Sequence, residues 1–182
     1  MSIFPKRYAD RVARLRVTFG FILIAAFIWL SHPTTRSLAC GLPISALGLL
    51  LRAWATGHLE KNLTLTDSGP YAYVRNPLYM GTSIAAAGLA VAGRSWLLAA
   101  IFAAIFILVY LPVIELEEQH LAQIFPDFIA YTKRVPQLLP KYNRPTRSKR
   151  FSFELYVRNR EYQAALAFAI AIAVLAAKLL YS

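Results

Sequence analysis

One glutamate lies on the apolar side of a helix that the sequence predicts. The run VYLPVIELEEQHLAQIFPDF leaves a hydrophobic segment with helical periodicity. At about 100° per residue, Glu117 shares a face with Val113, whereas Glu118 falls on the polar side. Glu118 is therefore expected either to support the site from behind or to face solvent. A buried carboxylate without a partner is costly, so Glu117 requires one. Two possibilities are open: an ion pair with Arg75 or Arg52, or a ligand that carries ammonium or hydroxyl groups.

The segment SGPYAYVRNPLYMG, residues 68–81, concentrates backbone constraint between two hydrophobic stretches. Pro70 and Pro77 fix the backbone φ angle, and the residue before a proline is disfavoured in a helix. The segment therefore predicts a rigid loop at the membrane surface, with Pro77 as the first residue of the next helix. Irregular backbone at that depth is tolerated where it lines a cavity, which the three tyrosines would help to form. The alternative is an interfacial belt of tyrosines with Arg75 as a basic anchor.

The composition indicates the elements that must position these residues. The chain has 182 residues, 58% of them hydrophobic, and a mean hydropathy of +0.47. Soluble domains are about 45–50% apolar, so the excess is expected to face lipid. We predict an all-α, multi-pass transmembrane bundle of about five spans, forming one integral-membrane domain over residues 1–182. The predicted spans are residues 17–31, 38–58, 77–92, 96–114 and 162–181.

Charge divides the predicted loops into two sets. There are 20 Lys and Arg residues against 9 Asp and Glu, and most of the basic ones lie in residues 1–16, 59–76 and 115–161. The positive-inside rule places this side, with the N-terminus, in the cytoplasm and the C-terminus on the opposite side. A basic surface on a membrane protein predicts contact with anionic lipid headgroups, not with nucleic acid. A single cysteine and three scattered histidines predict no disulfide and no metal site.

The order of these motifs resembles a known enzyme superfamily. The pattern GPYxYxRxPxYxG, a later helix with two adjacent glutamates, and the run FPDFIAYTKRVPQLLP are similar to the isoprenylcysteine carboxyl methyltransferase and phospholipid methyltransferase superfamily. The resemblance covers about residues 50–142. It implies a small integral-membrane enzyme that uses S-adenosylmethionine, with a cytoplasmic cofactor region at about residues 56–142.

The resemblance also implies which residues contact the cofactor. A strand-like stretch, the tyrosine after the first proline, a tetrapeptide and the apolar-face glutamate would together form the pocket. These residues are Leu63, Thr64, Leu65, Thr66, Tyr71, Asn76, Pro77, Leu78, Tyr79 and Glu117. The first tetrapeptide position, Asn76, is usually histidine in relatives, but asparagine also offers a donor and an acceptor. Val113 stands where the isoprenylcysteine enzymes carry an arginine for the substrate carboxylate, which argues against a prenylcysteine substrate.

Methyl transfer from a sulfonium is an in-line displacement that depends mainly on positioning in a dry pocket. No triad is therefore expected, and no catalytic residue is assigned. Candidate contacts to the acceptor are Arg52, Thr56, His58 and Val113. Of these, Arg52 is expected to extend its charged end to the membrane surface or to bind an anionic headgroup.

The predicted function is S-adenosylmethionine-dependent methyl transfer to a lipophilic acceptor, either a membrane lipid or another small molecule resident in the bilayer. Two alternatives remain. One is an NADPH-dependent membrane reductase of the sterol-reductase type, which would require arginines for the nucleotide 2′-phosphate. The other is a non-enzymatic membrane scaffold in which Glu117 pairs with Arg75.

Overall fold

The computed structural model describes residues 4–142 and 149–181, and within them every regular element is a helix. The predicted all-α class is therefore confirmed. The helices in chain order are α1 (Lys6–Leu30), α2 (Thr35–Thr56), α3 (Pro77–Ala92), α4 (Trp96–Ile105), α5 (Leu111–Ile124), α6 (Phe128–Arg134), α7 (Phe153–Arg158) and α8 (Tyr162–Leu180).

Several helices are long and apolar enough to cross a membrane, as expected of an integral membrane protein. Three satisfy both conditions: Thr35–Thr56, the continuous Trp96–Ile124, and Tyr162–Leu180. The two parts of α1, bent by 56°, would make a fourth if they form one span, and Pro77–Ala92 is apolar but shorter. All five predicted hydrophobic segments are helical, while the count of five spans stays a prediction.

Hydrogen bonds place the two short loops at one end of the bundle. The His32 N–H donates to the Gly93 carbonyl at 2.7 Å, which joins the loop after α1 to the loop after α3. Near the end of α8, Lys178 Nζ donates to the carbonyl oxygen of Ile28 at 2.7 Å. The C-terminal end of α8 thus lies with the short loops, and residues 59–76, 115–142 and 149–161 lie at the other end. This is the predicted division of the loops; which side faces the cytoplasm stays a prediction.

Helices α2 and α3 meet along a seam of small residues. A Cβ atom on Gly48 would lie 2.5 Å from the Gly81 carbonyl oxygen and from the Ala85 nitrogen, so the two backbones are in direct contact. Ser45 Oγ donates across the seam to the Ala85 carbonyl at 2.9 Å. Small residues of this kind allow close packing of helices in a membrane. At the loop end of the seam, a Cβ on Gly81 would lie 2.7 Å from Arg52 Cγ, so the glycine makes room for the arginine.

A π-helical turn, residues 106–110, joins α4 to α5. Pro112 follows it and lacks the N–H that would bond the Leu108 carbonyl in an α-helix. The Tyr8 hydroxyl of α1 donates to that carbonyl instead, at 2.7 Å. The irregular turn is therefore satisfied by a neighbouring helix, and it sets the direction in which α5 presents its two adjacent glutamates, Glu117 and Glu118.

Candidate functional site

The loop between α2 and α3 has the rigid form that its prolines predict. Residues 69–72 form a single 3₁₀ turn in which Pro70 and Tyr71 are buried, and Pro77 is the first residue of α3. Gly69 has a φ of 57°, and a Cβ there would lie 2.7 Å from the His58 ring. Glycine is therefore required by both conformation and space. The loop is fixed before any ligand binds.

Arg75 fastens this loop to α5 and to the end of α6. Its Nε and Nη2 donate to the two carboxylate oxygens of Glu118, each at 2.9 Å, and its Nη1 donates to the carbonyls of Thr132 and Val135. The Asn76 amide donates to the same Glu118 carboxylate at 2.8 Å. Of the two roles expected for Glu118, a charge that supports the site from behind or one that faces solvent, the structure agrees with the first. The helical wheel considered α5 alone, whereas the loop packs over that side of the helix.

Arg52 is held in a second bidentate pair, with Glu161. Arg52 Nε lies 2.6 Å from Glu161 Oε1, and Nη2 lies 3.0 Å from Oε2. Arg52 Nη1 donates to the Thr82 hydroxyl at 2.6 Å. The expectation that Arg52 extends to the membrane surface is wrong, because Glu161, the residue before α8, binds it inside the bundle. Glu161 itself is only 8% exposed.

A cavity of about 640 Å³ lies between these two pairs. Its wall runs from the loop after α2 to side chains well inside the helices, including Thr82 and Tyr110. It includes nine of the ten predicted cofactor residues and two of the four predicted acceptor residues. These eleven are Thr64, Leu65, Thr66, Tyr71, Asn76, Pro77, Leu78, Tyr79, Glu117, Arg52 and Val113.

Glu117 faces this cavity and is exposed in it. The prediction that the Glu117 carboxylate is buried is therefore wrong. Val113 does line the same cavity, as the helical wheel indicates. Among the described side chains, Glu117 makes no hydrogen bond or ion pair, since Arg75 pairs with Glu118 and Arg52 with Glu161. Neither predicted ion pair of Glu117 is present.

Three predicted contacts lie outside the cavity wall. Leu63 is 67% exposed, in a turn, and the stretch that it begins has no strand partner in the described part of the chain. Thr56 is buried and its hydroxyl donates to the Arg52 carbonyl at 2.7 Å. The buried His58 ring lies between the carbonyls of Trp54, at 2.9 Å, and Lys149, at 3.2 Å. The segment near residue 149 folds back over the end of α2, a contact that no local sequence pattern indicates.

Two buried tyrosines stiffen the wall on the loop side. The Tyr131 hydroxyl of α6 donates to the Tyr71 carbonyl at 2.7 Å. Burial raises the pKa of both phenols well above the ordinary value of 10.0, and the carboxylate of Glu117 adds to the effect at Tyr71. Both therefore stay neutral and able to donate a hydrogen bond at physiological pH.

The outer end of the cavity carries a carboxylate that the sequence analysis missed. Glu60 accepts from the Thr64 hydroxyl at 2.8 Å and from Lys149 Nζ at 3.0 Å. The Thr64 hydrogen bond, with Lys149 second, lowers the pKa of Glu60. Two of the predicted cofactor residues in this stretch, Leu65 and Thr66, are half-buried in the wall, whereas Thr64 is turned toward Glu60.

Glu161 and Thr82 are further site residues that sequence reasoning did not single out. An acidic residue directly before the last hydrophobic segment was the available signal for Glu161. Its partner is 109 positions away, so only the fold identifies the pair. Within residues 4–142 and 149–181, no three His, Cys, Asp or Glu side chains come together in a group that could hold a metal ion.

The chain is similar to known proteins over much of the sequence that forms this site. A model of the phospholipid methyltransferase family matches residues 15–127. Two curated relatives are the cobalt-zinc-cadmium resistance protein CzcN of Cupriavidus metallidurans and the nickel-cobalt-cadmium resistance protein NccN of Alcaligenes xylosoxydans xylosoxydans. Each is 30% identical over 141 residues, which cover 72% of this chain. The matched part spans 64% and 65% of those relatives, less than two thirds of their length. No solved structure matches.

The family match takes in the rigid loop and the helix with two adjacent glutamates, two of the three features on which the resemblance to the membrane methyltransferase superfamily was based, and the start of the third. That resemblance is confirmed. The chain therefore belongs to the phospholipid methyltransferase family.

Proposed function

We propose that the protein transfers a methyl group from S-adenosylmethionine to a lipophilic acceptor in the membrane. The observation that carries the proposal is one cavity whose wall combines the rigid loop with Glu117 of α5. The same family-matched segment contributes both parts. A methyl acceptor that is soluble only in lipid would reach this cavity from the bilayer, and a soluble cofactor would reach it from the loop end.

The residues of the cavity fit the proposed cofactor. A volume of about 640 Å³ falls within the roughly 300–1,000 Å³ of small-molecule pockets. Apolar and aromatic side chains at the loop end, such as Leu65 and Phe128, suit an adenine ring. The Glu117 carboxylate suits an ammonium group or ribose hydroxyls, because charge-assisted hydrogen bonds are strong.

When bound, S-adenosylmethionine supplies a methyl group on a sulfonium: the acceptor's electron pair forms the new bond to carbon while the carbon–sulfur bond breaks and a neutral thioether leaves. The protein's part is to bind, orient and exclude water. Pro77 and the Arg75–Glu118 pair hold the loop in one conformation. Tyr71, neutral and buried beside Glu117, offers a hydroxyl within the wall. We assign no general acid or base.

Acceptor binding is proposed for the part of the cavity inside the helices, where Arg52, Thr82, Tyr110 and Val113 lie. Val113 offers no positive charge, so a prenylcysteine carboxylate would find no partner on α5. The loop end is proposed to face the cytoplasm, because most basic residues lie there. These residues would also gather anionic lipids, at about 1 kcal/mol for each Lys or Arg near the surface.

The two alternatives find less support. The scaffold hypothesis required Glu117 to pair with Arg75, which pairs with Glu118 instead. The reductase hypothesis requires arginines for a 2′-phosphate. The two arginines in the described cavity wall, Arg52 and Arg75, are each bound by a glutamate.

Calorimetric titration of the detergent-purified protein tests the proposal. We expect binding of S-adenosylhomocysteine and none of NADPH. Glu117→Gln should weaken S-adenosylhomocysteine binding roughly ten- to a hundredfold, the effect of losing one charge-assisted hydrogen bond. Gln119→Ala, at an exposed position outside the cavity wall on the same helix, is the matched control. Binding of NADPH alone would favour the reductase, and binding of neither ligand would favour the scaffold.

A further inference from the structure

We infer that Glu161 sets the charge preference for the acceptor, by neutralising the arginine that would otherwise attract a lipophilic anion. The inference rests on the proposed function and names the property that the acceptor must have. Arg52 lines the part of the cavity inside the helices, and Glu161 binds its Nε and Nη2 from outside the cavity wall. Glu161 is a positioning residue: it acts on the acceptor through Arg52.

Contacts other than the ion pair with Glu161 also hold Arg52 in place. Its Nη1 donates to the Thr82 hydroxyl at 2.6 Å, and Thr82 in turn donates to the Leu78 carbonyl at 2.9 Å. The seam of small residues leaves room for the Arg52 stem beside Gly81. The guanidinium therefore stays in the wall whether or not Glu161 is charged, and only its availability to a ligand changes.

The cavity wall contains no free positive charge deep inside the helices, in the part of the chain that the structure describes. Arg52 and Arg75 are paired with glutamates, Val113 is apolar, and Glu117 adds a negative charge. Lys61 lies at the outer, loop end. An entering carboxylate or phosphate would have to displace Glu161 from Arg52, and that would leave a buried carboxylate unpaired. Lipophilic anions are therefore disfavoured, and neutral or cationic acceptors are admitted.

A purely structural role does not account for the Glu161 charge. The segment before α8 is already fastened to the end of α2 by the Asn159 amide, which donates to the carbonyls of Thr56 and Leu59 at 3.2 and 2.9 Å. Glu161 stands directly before α8, where the positive end of the helix dipole favours a carboxylate. Its carboxylate therefore faces Arg52 from a segment that Asn159 anchors independently.

The test compares a lipophilic carboxylate with its neutral ester. Detergent-purified wild type, Glu161→Gln and the double variant Arg52→Gln/Glu161→Gln are titrated with acetyl-farnesylcysteine and with its methyl ester. Glu154→Gln, at an exposed position on α7, is the control for loss of a nearby acidic residue. S-adenosylhomocysteine is titrated into every preparation, so that failure of the proposed function is recognised separately.

Glu161→Gln should bind the carboxylate roughly ten- to a hundredfold more tightly than wild type, because a guanidinium is released for a charge-assisted hydrogen bond. Ester binding should not change, and the double variant should lose the gain. A structural anchor would produce no such gain. Glu161→Gln that binds S-adenosylhomocysteine normally but the carboxylate no better than wild type would overturn the inference.

Should Glu161→Gln fail to fold, Glu161→Asp provides the second test. The shorter side chain keeps the charge but cannot keep both contacts at 2.6 and 3.0 Å. We expect a gain of several-fold for the carboxylate. No gain in a folded Glu161→Asp that still binds S-adenosylhomocysteine would equally contradict the inference.

Discussion

Two arginine–glutamate pairs flank the cavity, and they differ in what else holds the arginine. Arg75 donates to Glu118 and to two main-chain carbonyls at the end of α6, while its own N–H bonds the Pro136 carbonyl at 2.9 Å. Arg52 donates to Glu161 and to the hydroxyl of Thr82, with one long contact of 3.4 Å to a carbonyl. One arginine is fixed mainly by backbone and the other mainly by side chains.

This difference indicates separate tasks for two similar ion pairs. Substitution of a neighbouring side chain cannot remove the main-chain carbonyls around Arg75, so these contacts hold the loop whatever side chains surround it. The partners of Arg52 are mainly side chains, so substitutions can change its electrostatic state without disturbing the backbone around it. The first pair is suited to hold the proposed cofactor site in one shape, and the second to tune the proposed acceptor site.

The largest expected effect is that of Glu118→Gln. Removing one partner of a buried pair costs about 3–5 kcal/mol, and we expect about 3 kcal/mol because Arg75 keeps its carbonyl partners. The loop should loosen, so affinity for S-adenosylhomocysteine should fall as well. Unfolding in mixed micelles, followed by circular dichroism, measures the stability. Wild-type stability in Glu118→Gln, with Gln119→Ala as control, would show that the loop does not depend on this pair.

A smaller effect is expected across the other pair. Arg52 is 23% exposed against 13% for Arg75, so Arg52→Gln and Glu161→Gln should each cost about 2 kcal/mol of unfolding free energy. The double variant should cost less than the two single variants together, because neither charge is then left unpaired. The same unfolding assay gives the coupling energy of the double-mutant cycle. Additive losses would mean that the attraction between the two charges contributes nothing to stability beyond the packing of each side chain.

The smallest effect is expected from Thr82→Val, which removes the hydroxyl next to Arg52 while keeping the shape. We expect a loss of about 1 kcal/mol, the net value of one hydrogen bond. No equivalent substitution exists at Arg75, whose Nη1 partners are carbonyls. Since Thr82 lines the acceptor part of the cavity, methylation of membrane lipids should change more than binding of S-adenosylhomocysteine. If binding of S-adenosylhomocysteine changed more than methylation, Thr82 would belong to the cofactor part of the cavity.

The sequence predicted the features that depend on neighbouring residues. The rigid loop follows from Pro70, Gly69 and Pro77, whose effects on the backbone are local, and the hydrophobic segments mark the helices. Val113 and Glu117 were placed on one face by helical periodicity, and both lie in the cavity wall. These predictions needed no knowledge of how the helices pack.

Most of the features that were missed involve distant partners. The role of Glu118 was left open between support of the site and exposure to solvent, because its partner Arg75 is 43 residues away, on a loop that a helical wheel does not include. Arg52 was expected at the membrane surface because the pairing with Glu161 depends on how α8 returns to the bundle. His58 was expected to contact the acceptor. Its ring lies beside Gly69 of the rigid loop, but it lies outside the cavity wall and contacts the carbonyls of Trp54 and Lys149.

The π-helical turn at residues 106–110 fixes the rotational phase of α5. A π-helical turn accommodates one residue more than an α-helical turn. Successive residues of an α-helix differ by about 100°, so an α-helical turn built from the same residues would rotate all that follows by that angle. Glu117 would then take the orientation of Glu118 and meet Arg75, and Leu116 would take the orientation of Glu117. The geometry of one turn, and not only the chemistry of the residues that follow it, thus decides whether an acid faces the cavity.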